Sequence, residues 1–235
     1  MTRFWIACFC LTLLLTPLFS QPGPCPATPD CNCPAFTGDP WAALQDGFKR
    51  FLTCSPQQCR PPCAPRRDKC ARCCGIWMKQ QPFAVVLSCS DSRVPPEILF
   101  DQGLGDLFVV RVAGNVASDE AIGSIEYAIA HLNSIRIIVV LGHEKCGAVE
   151  AALSPKPSHD MIPSILNRIY PVAAGRGPDK LEETIRDNVR YTAKLLRQYS
   201  PIIRNWEEEP TVPPRHIQGA YYSITKGTIE TVPLN

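Results

Sequence analysis

The chain has 235 residues, which allows one core domain or two small ones. Its formal net charge of +2 gives no electrostatic reason to expect a nucleic acid or an anionic surface as a partner. The composition is unusual in its 13 cysteines and 24 prolines. Nine of the cysteines fall between Cys25 and Cys74, so the first third of the chain differs in kind from the rest.

Residues 1–20 have the pattern of a secretory signal peptide. A basic start at Arg3 precedes a largely apolar stretch from Phe4 to Leu15, and a small residue follows at Ser20. A retained membrane anchor is the alternative. Pro17 and the short apolar stretch argue against it, because a spanning helix needs ~20 apolar residues. We expect cleavage near Ser20, a secreted or periplasmic protein, and no membrane span after cleavage.

The remaining chain divides by composition into a linker and one domain. Residues 21–38 are dense in proline, glycine and cysteine and lack an apolar period, which indicates a linker. The domain then covers residues 39–235. We expect an N-terminal helical, cysteine-rich arm at 39–81 and an α/β core at 82–235.

The arm is predicted to begin with a helix. Asp39 fits its N-cap and Pro40 its first turn. The apolar residues of this helix recur at helical spacing: Trp41, Leu44, Phe48, Phe51 and Leu52. That face should pack against the core or against a partner subunit.

Six cysteines follow in the arm: Cys54, Cys59, Cys63, Cys70, Cys73 and Cys74. After a signal peptide, such cysteines usually form disulfides. A thiolate metal site is the alternative, because Cys70-x-x-Cys73 and Cys59-x-x-x-Cys63 have spacings compatible with zinc. We favour disulfides because export leads to an oxidising compartment. Nine cysteines are an odd number, so one of them stays free or bonds to another chain.

From residue 82 onward, strand and helix patterns alternate. Phe83–Leu87 is an unbroken apolar run typical of a buried strand, and Leu107–Val112 and Ile135–Leu141 are predicted to be the second and third strands. Helical patterns separate them, a short one at Val94–Leu99 and a longer one capped by Ser118 or Asp119. Alternation of this kind predicts parallel pairing through right-handed crossovers. We therefore expect an α/β fold with a mainly parallel central sheet flanked by helices.

The last third of the chain is predicted to be mostly helical and to return to the sheet. Met161–Tyr170 and Leu181–Tyr199 have apolar residues at helical spacings. Glu207–Glu209 has the character of a solvated charge run. Ile217–Ile224 reads as a last strand, and Thr228–Val232 can return as a hairpin at the sheet edge.

Two of the predicted strands deliver metal-ligand residue types at their C-terminal ends, where an open α/β sheet carries its chemistry. Cys89 follows the first strand, and His143 and Cys146 follow the third. Two thiolates and one imidazole suit zinc and leave one tetrahedral position open. A disulfide between Cys89 and Cys146 is an alternative. A closed structural zinc site is another, although it would usually take a fourth Cys or His ligand, and none is evident in this part of the sequence.

Asp91 and Arg93 stand beside the first candidate ligand. Two residues apart after a strand, they can form a bidentate carboxylate–guanidinium pair. Asp91 is then ionised and able to accept a hydrogen bond from metal-bound water. Released from Arg93, its carboxylate can instead become a fourth zinc ligand and close the site. The alternative is a helix-capping aspartate beside an ordinary surface arginine.

These residues resemble a known family. Cys89-Ser90-Asp91-Ser92-Arg93 and His143-Glu144-Lys145-Cys146 look like the two zinc motifs of the β-class carbonic anhydrases. Three further stretches are similar to the bacterial branch of that class: Pro82–Val116, Gly123–Ala128 and Gly219–Tyr222.

The resemblance implies a zinc enzyme that interconverts carbon dioxide and bicarbonate by zinc-bound hydroxide. It implies one Zn²⁺ per chain, bound by Cys89, His143 and Cys146, with Asp91 and Arg93 as the orienting or gating dyad. It also implies a homodimer or a higher homo-oligomer, in which the N-terminal helix embraces a neighbour. A small apolar substrate pocket is expected around four further residues: Val94, Phe108, Gly114 and Tyr127.

Two other functions stay open on the sequence alone. One is the hydrolysis of carbonyl sulfide or carbon disulfide on the same fold. The other is a secreted, cysteine-rich metal-binding or redox protein, in which the first third of the chain would be the functional part.

Overall fold

The computed structural model of the chain describes residues 38–53, 79–154, 160–211 and 214–234. The predicted signal peptide lies outside the described residues. The linker up to residue 37 and the cysteines from Cys25 to Cys74 lie outside them too, so their predicted pairing stays a prediction.

The described residues form a five-stranded sheet. Its strands are β1 (Ala84–Ser88), β2 (Leu107–Arg111), β3 (Ile137–His143), β4 (His216–Ser223) and β5 (Thr228–Val232). Their spatial order is β2-β1-β3-β4-β5. The pairs β1–β2, β1–β3 and β3–β4 are parallel, and β4–β5 is antiparallel. The predicted fold class is confirmed, including the C-terminal strands at the sheet edge.

Seven α-helices flank the sheet within the described residues. They are α1 (Pro40–Thr53), α2 (Pro96–Leu99), α3 (Asp119–His131), α4 (Gly147–Leu153), α5 (Pro163–Ala173), α6 (Leu181–Tyr199) and α7 (Pro201–Glu208). Short 3-10 turns lie at Ala113–Asn115 and Pro178–Lys180.

The centre of the sheet explains where the candidate site lies. Every residue of β1 and β3 is buried, because helices cover both faces, as unbroken apolar runs require. In the parallel register, Ser88 pairs with Leu141. Cys89 and His143 therefore emerge at the same carboxyl edge of the sheet.

Two predicted helix starts are confirmed by their caps. The Asp39 carboxylate accepts a hydrogen bond from the Ala42 backbone N–H at 2.9 Å. The Ser118 hydroxyl accepts one from Ala121 N–H at 3.2 Å, which identifies Ser118 rather than Asp119 as the cap. Such caps satisfy donors that have no partner inside the helix.

The arm helix α1 packs onto the core through its predicted apolar face. Leu44 is fully buried, and Phe48 is 6% exposed. The Phe48 ring meets the ring of Tyr222 on β4 edge-on, with centroids 5.8 Å apart. Leu52, by contrast, is 49% exposed. The face is therefore buried over its centre and open at the end that leads into the cysteine-rich segment.

The prediction of a solvated charge run at Glu207–Glu209 is wrong for Glu207. Its carboxylate is partly buried and accepts two hydrogen bonds from Arg197, at 2.7 and 2.8 Å. It also accepts one from the Ile217 backbone N–H at 3.0 Å. Glu207 therefore joins α7 to α6 and to the start of β4.

The helix predicted at Met161–Tyr170 begins two residues later and ends three residues later, as α5. Its last turn contains Pro171, which lacks an N–H but leaves the final bond from Ala174 N–H to Tyr170 O intact.

Within the ranges that the structure describes, no helix combines the length and the apolar character that a membrane crossing requires.

Candidate metal centre

The three predicted metal ligands come together at the carboxyl edge of the sheet. Cys89 follows β1, His143 ends β3, and Cys146 precedes α4. One ligand atom from each lies within 4.8 Å of the other two, and all three residues are buried. The two sulfur atoms are 4.0 Å apart, about twice the ~2.05 Å of a disulfide bond, so Cys89 and Cys146 are not bonded to each other.

The donor set fits zinc. With Zn–S bonds of ~2.3 Å, tetrahedral geometry places two sulfur ligands about 3.8 Å apart, close to the separation of these two sulfurs. The Nδ1 atom of His143 lies 2.9 Å from the Glu144 carbonyl, which orients the ring. The Nε2 atom is buried and has no hydrogen-bond partner. A buried, oriented ring nitrogen facing two sulfurs is the arrangement that a metal would complete.

Because the two cysteines lie close together, their pKa values shift in opposite directions. The side-chain contact with Cys146 lowers the pKa of Cys89 below its usual range, although burial opposes this. The same contact, together with burial, raises the pKa of Cys146 above its usual range. Both cysteines would have to be thiolates to bind a metal, because the thiolate is the form that binds metal.

Asp91 and Arg93 form the predicted bidentate pair. Arg93 Nε donates to Asp91 Oδ1 at 2.9 Å and Nη2 to Oδ2 at 2.7 Å. The side-chain hydrogen bonds from Arg93 hold the pKa of Asp91 well below its usual range, although partial burial opposes this. Asp91 Oδ2 is 3.9 Å from His143 Nε2. The ionised carboxylate thus borders the space that the three ligand atoms face.

A second arginine, Arg111 at the end of β2, holds the segment that carries Cys89 and Asp91. Its Nε donates to the Cys89 carbonyl at 3.1 Å and its Nη2 to the Asp91 carbonyl at 2.6 Å. Sequence reasoning assigned Arg111 only to a strand. A basic residue near the end of an otherwise apolar strand was the available sequence signal, and the β1–β2 register, which pairs Arg111 with Ser88, places it at this edge.

The turn at Ala113–Asn115 touches the sulfur of Cys89. The Gly114 N–H donates to Cys89 Sγ at 3.3 Å. Gly114 has φ +68°, and the Asn188 side chain of α6 donates to its carbonyl at 2.7 Å. Asn188 is 1% exposed and was not singled out from the sequence. Its partner lies 74 positions away, so no local pattern reveals it.

Of the four expected pocket residues, two lie near the metal ligands in the chain or in space, Val94 and Gly114. Val94, 1% exposed, follows Arg93, and its N–H donates to the Asp91 carbonyl at 3.1 Å. Gly114 contacts Cys89 as described, and Phe108 lies partly buried on β2. Tyr127 is on α3, 52% exposed, with its ring 4.7 Å from that of His131. Their part in binding substrate stays a prediction.

Comparisons with known proteins agree on one family. The carbonic anhydrase family model matches residues 84–229. A carbonic anhydrase of Mycolicibacterium smegmatis is 38% identical over 197 residues, which cover 81% of this chain and 90% of the relative. Carbonic anhydrase 2 of Mycobacterium tuberculosis is 41% identical over 170 residues, covering 69% of this chain and 78% of the relative.

Solved structures give the class. A tetrameric β-carbonic anhydrase of Sordaria macrospora superimposes with a TM-score of 0.59 at 26% identity, covering 67% of this chain and 83% of that one. The Coccomyxa β-carbonic anhydrase in complex with acetazolamide gives a TM-score of 0.58 at 27% identity, covering 65% and 72%. The chain therefore belongs to the carbonic anhydrase family of enzymes, in its β class.

Proposed function

We propose that this protein catalyses the reversible hydration of carbon dioxide to bicarbonate and a proton at one zinc ion bound by Cys89, His143 and Cys146. The observation that carries the proposal is the buried Cys–His–Cys cluster, with an unpartnered His143 Nε2, in a chain of the carbonic anhydrase family. When bound, zinc supplies a Lewis acid that lowers the pKa of a water ligand to ~7 and so provides a nucleophile at neutral pH.

The residues around the cluster have separable parts in this reaction. The Glu144 carbonyl accepts from His143 Nδ1 and leaves Nε2 free as a ligand. The Gly114 N–H donates to the Cys89 sulfur and stabilises it as a thiolate. Cys89, His143 and Cys146 would hold the zinc, and three protein ligands rather than four are typical of a catalytic zinc site.

Asp91 is proposed to orient the nucleophilic water. Its carboxylate is ionised, accepts both Arg93 bonds and lies 3.9 Å from His143 Nε2, so it borders the open position. A carboxylate there accepts a hydrogen bond from water and directs the oxygen lone pair toward the substrate. The pairing with Arg93 holds the Asp91 carboxylate in place. Without that pairing, the carboxylate would be free to serve as a further metal ligand and so to close the site.

Val94, Phe108, Gly114 and Tyr127 are proposed to line the pocket for carbon dioxide. We also propose a homodimer or a higher homo-oligomer, which the tetrameric Sordaria macrospora enzyme supports. The signal-like segment at residues 1–20 supports export, to the periplasm or the cell exterior.

Stopped-flow measurement of carbon dioxide hydration on the purified, zinc-loaded protein tests the proposal. We expect a rate far above that of buffer between pH 7 and pH 9, abolished by Cys146→Ala. A zinc-loaded protein no faster than buffer over this range would refute the proposal.

Hydrolysis of carbonyl sulfide or carbon disulfide is the nearest competing activity, because it would use the same zinc ligands. Assaying all three substrates on one preparation decides between them. A cysteine-rich metal-binding or redox protein would instead bind several zinc ions and keep them in Cys146→Ala.

A further inference from the structure

Glu144 lies between two of the three ligands in the chain, yet its carboxylate makes its hydrogen bonds with a distant part of the chain. Both of its oxygens are bound by the turn that joins β4 to β5. Thr225 donates from its backbone N–H and from Oγ1, each at 2.7 Å, and Ser223 Oγ donates at 3.0 Å. Glu144 is 8% exposed. The carboxylate is therefore an anchor for the loop, since its lone pairs are taken up by the hairpin.

The backbone of Glu144 is held as firmly as its side chain. Its N–H donates to the Tyr222 carbonyl of β4 at 2.8 Å. Its carbonyl lies 2.9 Å from His143 Nδ1 and so sets which ring nitrogen faces the two sulfurs. Rotation of this peptide would therefore move or break the hydrogen bond that orients the imidazole ring.

The residue after Glu144 adopts an uncommon backbone conformation. Lys145 has φ +53°, in the left-handed region that costs a side-chain-bearing residue roughly 1–2 kcal/mol. Its side chain is 68% exposed and reaches the Glu144 carboxylate at 3.7 Å, a contact too solvated to hold the turn. The left-handed turn directs the chain into Cys146. Such a conformation persists where surrounding contacts impose it. The Glu144 anchor immediately precedes Lys145, and Arg93 Nη2 donates to the Lys145 carbonyl at 3.4 Å.

We propose that Glu144 is a positioning residue for the metal centre: held by Ser223 and Thr225, it fixes the carbonyl that orients His143 and the turn that delivers Cys146. The inference rests on the zinc site proposed above. It adds that retention of the metal depends on the β4–β5 hairpin, which supplies no ligand. Groups that orient metal ligands from outside typically contribute 10–100-fold to metal affinity.

Zinc release from the holoprotein to a chromogenic chelator is the test, with Glu144→Ala, Glu144→Gln and Thr225→Val compared with wild type. Glu144→Ala should release zinc ~10–100-fold faster. Glu144→Gln keeps one carbonyl acceptor, so its rate of zinc release should lie between the rates of wild type and Glu144→Ala. Thr225→Val removes one donor but keeps the N–H, so its effect should be smaller and should vanish in the Glu144→Ala background. Glu230→Gln is the matched control, because Glu230 is on the same hairpin but pairs with Arg186.

The visible spectrum of the Co²⁺-substituted protein separates positioning from general loosening. We expect altered ligand-field bands in Glu144→Ala and unchanged bands in Glu230→Gln. Wild-type zinc release and an unchanged spectrum in Glu144→Ala would overturn the inference. Equal acceleration in Glu230→Gln would do so too. Should Glu144→Ala fail to fold, Glu144→Gln and Thr225→Val decide by the same criteria. Neither readout uses turnover, so failure of the proposed hydration reaction would be seen separately.

Discussion

Replacing Gly114 by alanine should destabilise the turn that contacts the Cys89 sulfur. A Cβ atom there would lie 2.7 Å from Ile169 Cδ1 and 3.2 Å from Ala148 Cβ. The backbone φ of +68° adds roughly 1–2 kcal/mol for a residue with a side chain. Overpacking of this kind typically costs a further 1–3 kcal/mol. We therefore expect Gly114→Ala to lower the free energy of unfolding by about 2–5 kcal/mol.

The steric part of this loss can be isolated with a second substitution. Ile169→Val removes only Cδ1, the atom nearest to the new methyl group. By itself it should cost about 0.5–1.5 kcal/mol. In the Gly114→Ala background it should cost less or stabilise, giving a coupling energy of about 1 kcal/mol or more. The backbone part would stay, because the φ angle is unchanged.

Urea unfolding of wild type, the two single variants and the double variant provides the measurement. Gly123→Ala is the control, because nothing lies within 4 Å of a Cβ there, and alanine stabilises a helix relative to glycine by roughly 0.5–1 kcal/mol. Additive effects of Gly114→Ala and Ile169→Val would refute the steric reasoning. A Gly114→Ala protein as stable as wild type would refute both parts.

Three further predictions concern the dyad, acid stability and export. Arg93→Ala should lose most hydration activity at neutral pH, because the released Asp91 can close the site; wild-type activity would contradict this. Burial opposes ionisation of Glu207, but its hydrogen bonds with Arg197 lower the pKa of its carboxyl. The ionised carboxylate therefore contributes fully to the free energy of unfolding above pH 4.5, the pKa of an unperturbed glutamate, and this contribution is lost as the pH falls through the lower pKa of the folded state. Glu207→Gln should therefore flatten the acid side of a pH–stability profile, and a profile parallel to wild type would count against this. Mass spectrometry of the exported protein should find an N-terminus near Gln21; an intact Met1 would argue for a retained anchor.

Much of the fold was predictable because the local sequence pattern and the tertiary packing favour the same secondary structure. Phe83–Leu87 and Ile137–Leu141 are apolar throughout, and a strand covered on both faces buries every side chain of such a run. The predicted ends of β1 and β3 lie within two residues of the observed ones, close enough to place Cys89, His143 and Cys146 together from pattern alone. The contact between Asp91 and Arg93 spans two residues, a separation over which sequence reasoning is dependable.

What escaped prediction depends on contacts between distant parts of the chain. Asn188 and Gly114 are 74 positions apart, and Glu144 and Thr225 are 81 apart. Glu207 belongs to a run of three acidic residues that resembles a solvated surface. Its pairing with Arg197 follows from the packing of α7 against α6, and no periodicity shows that packing.

The central claim is that one zinc ion at Cys89, His143 and Cys146 carries the activity. Titrating metal-free protein with Zn²⁺ while following carbon dioxide hydration tests it most directly. Activity should rise linearly and stop rising at one equivalent per chain, and Cys146→Ala should show no rise at all. Activity that is independent of added zinc in the metal-free protein, or that needs several equivalents per chain, would contradict the account.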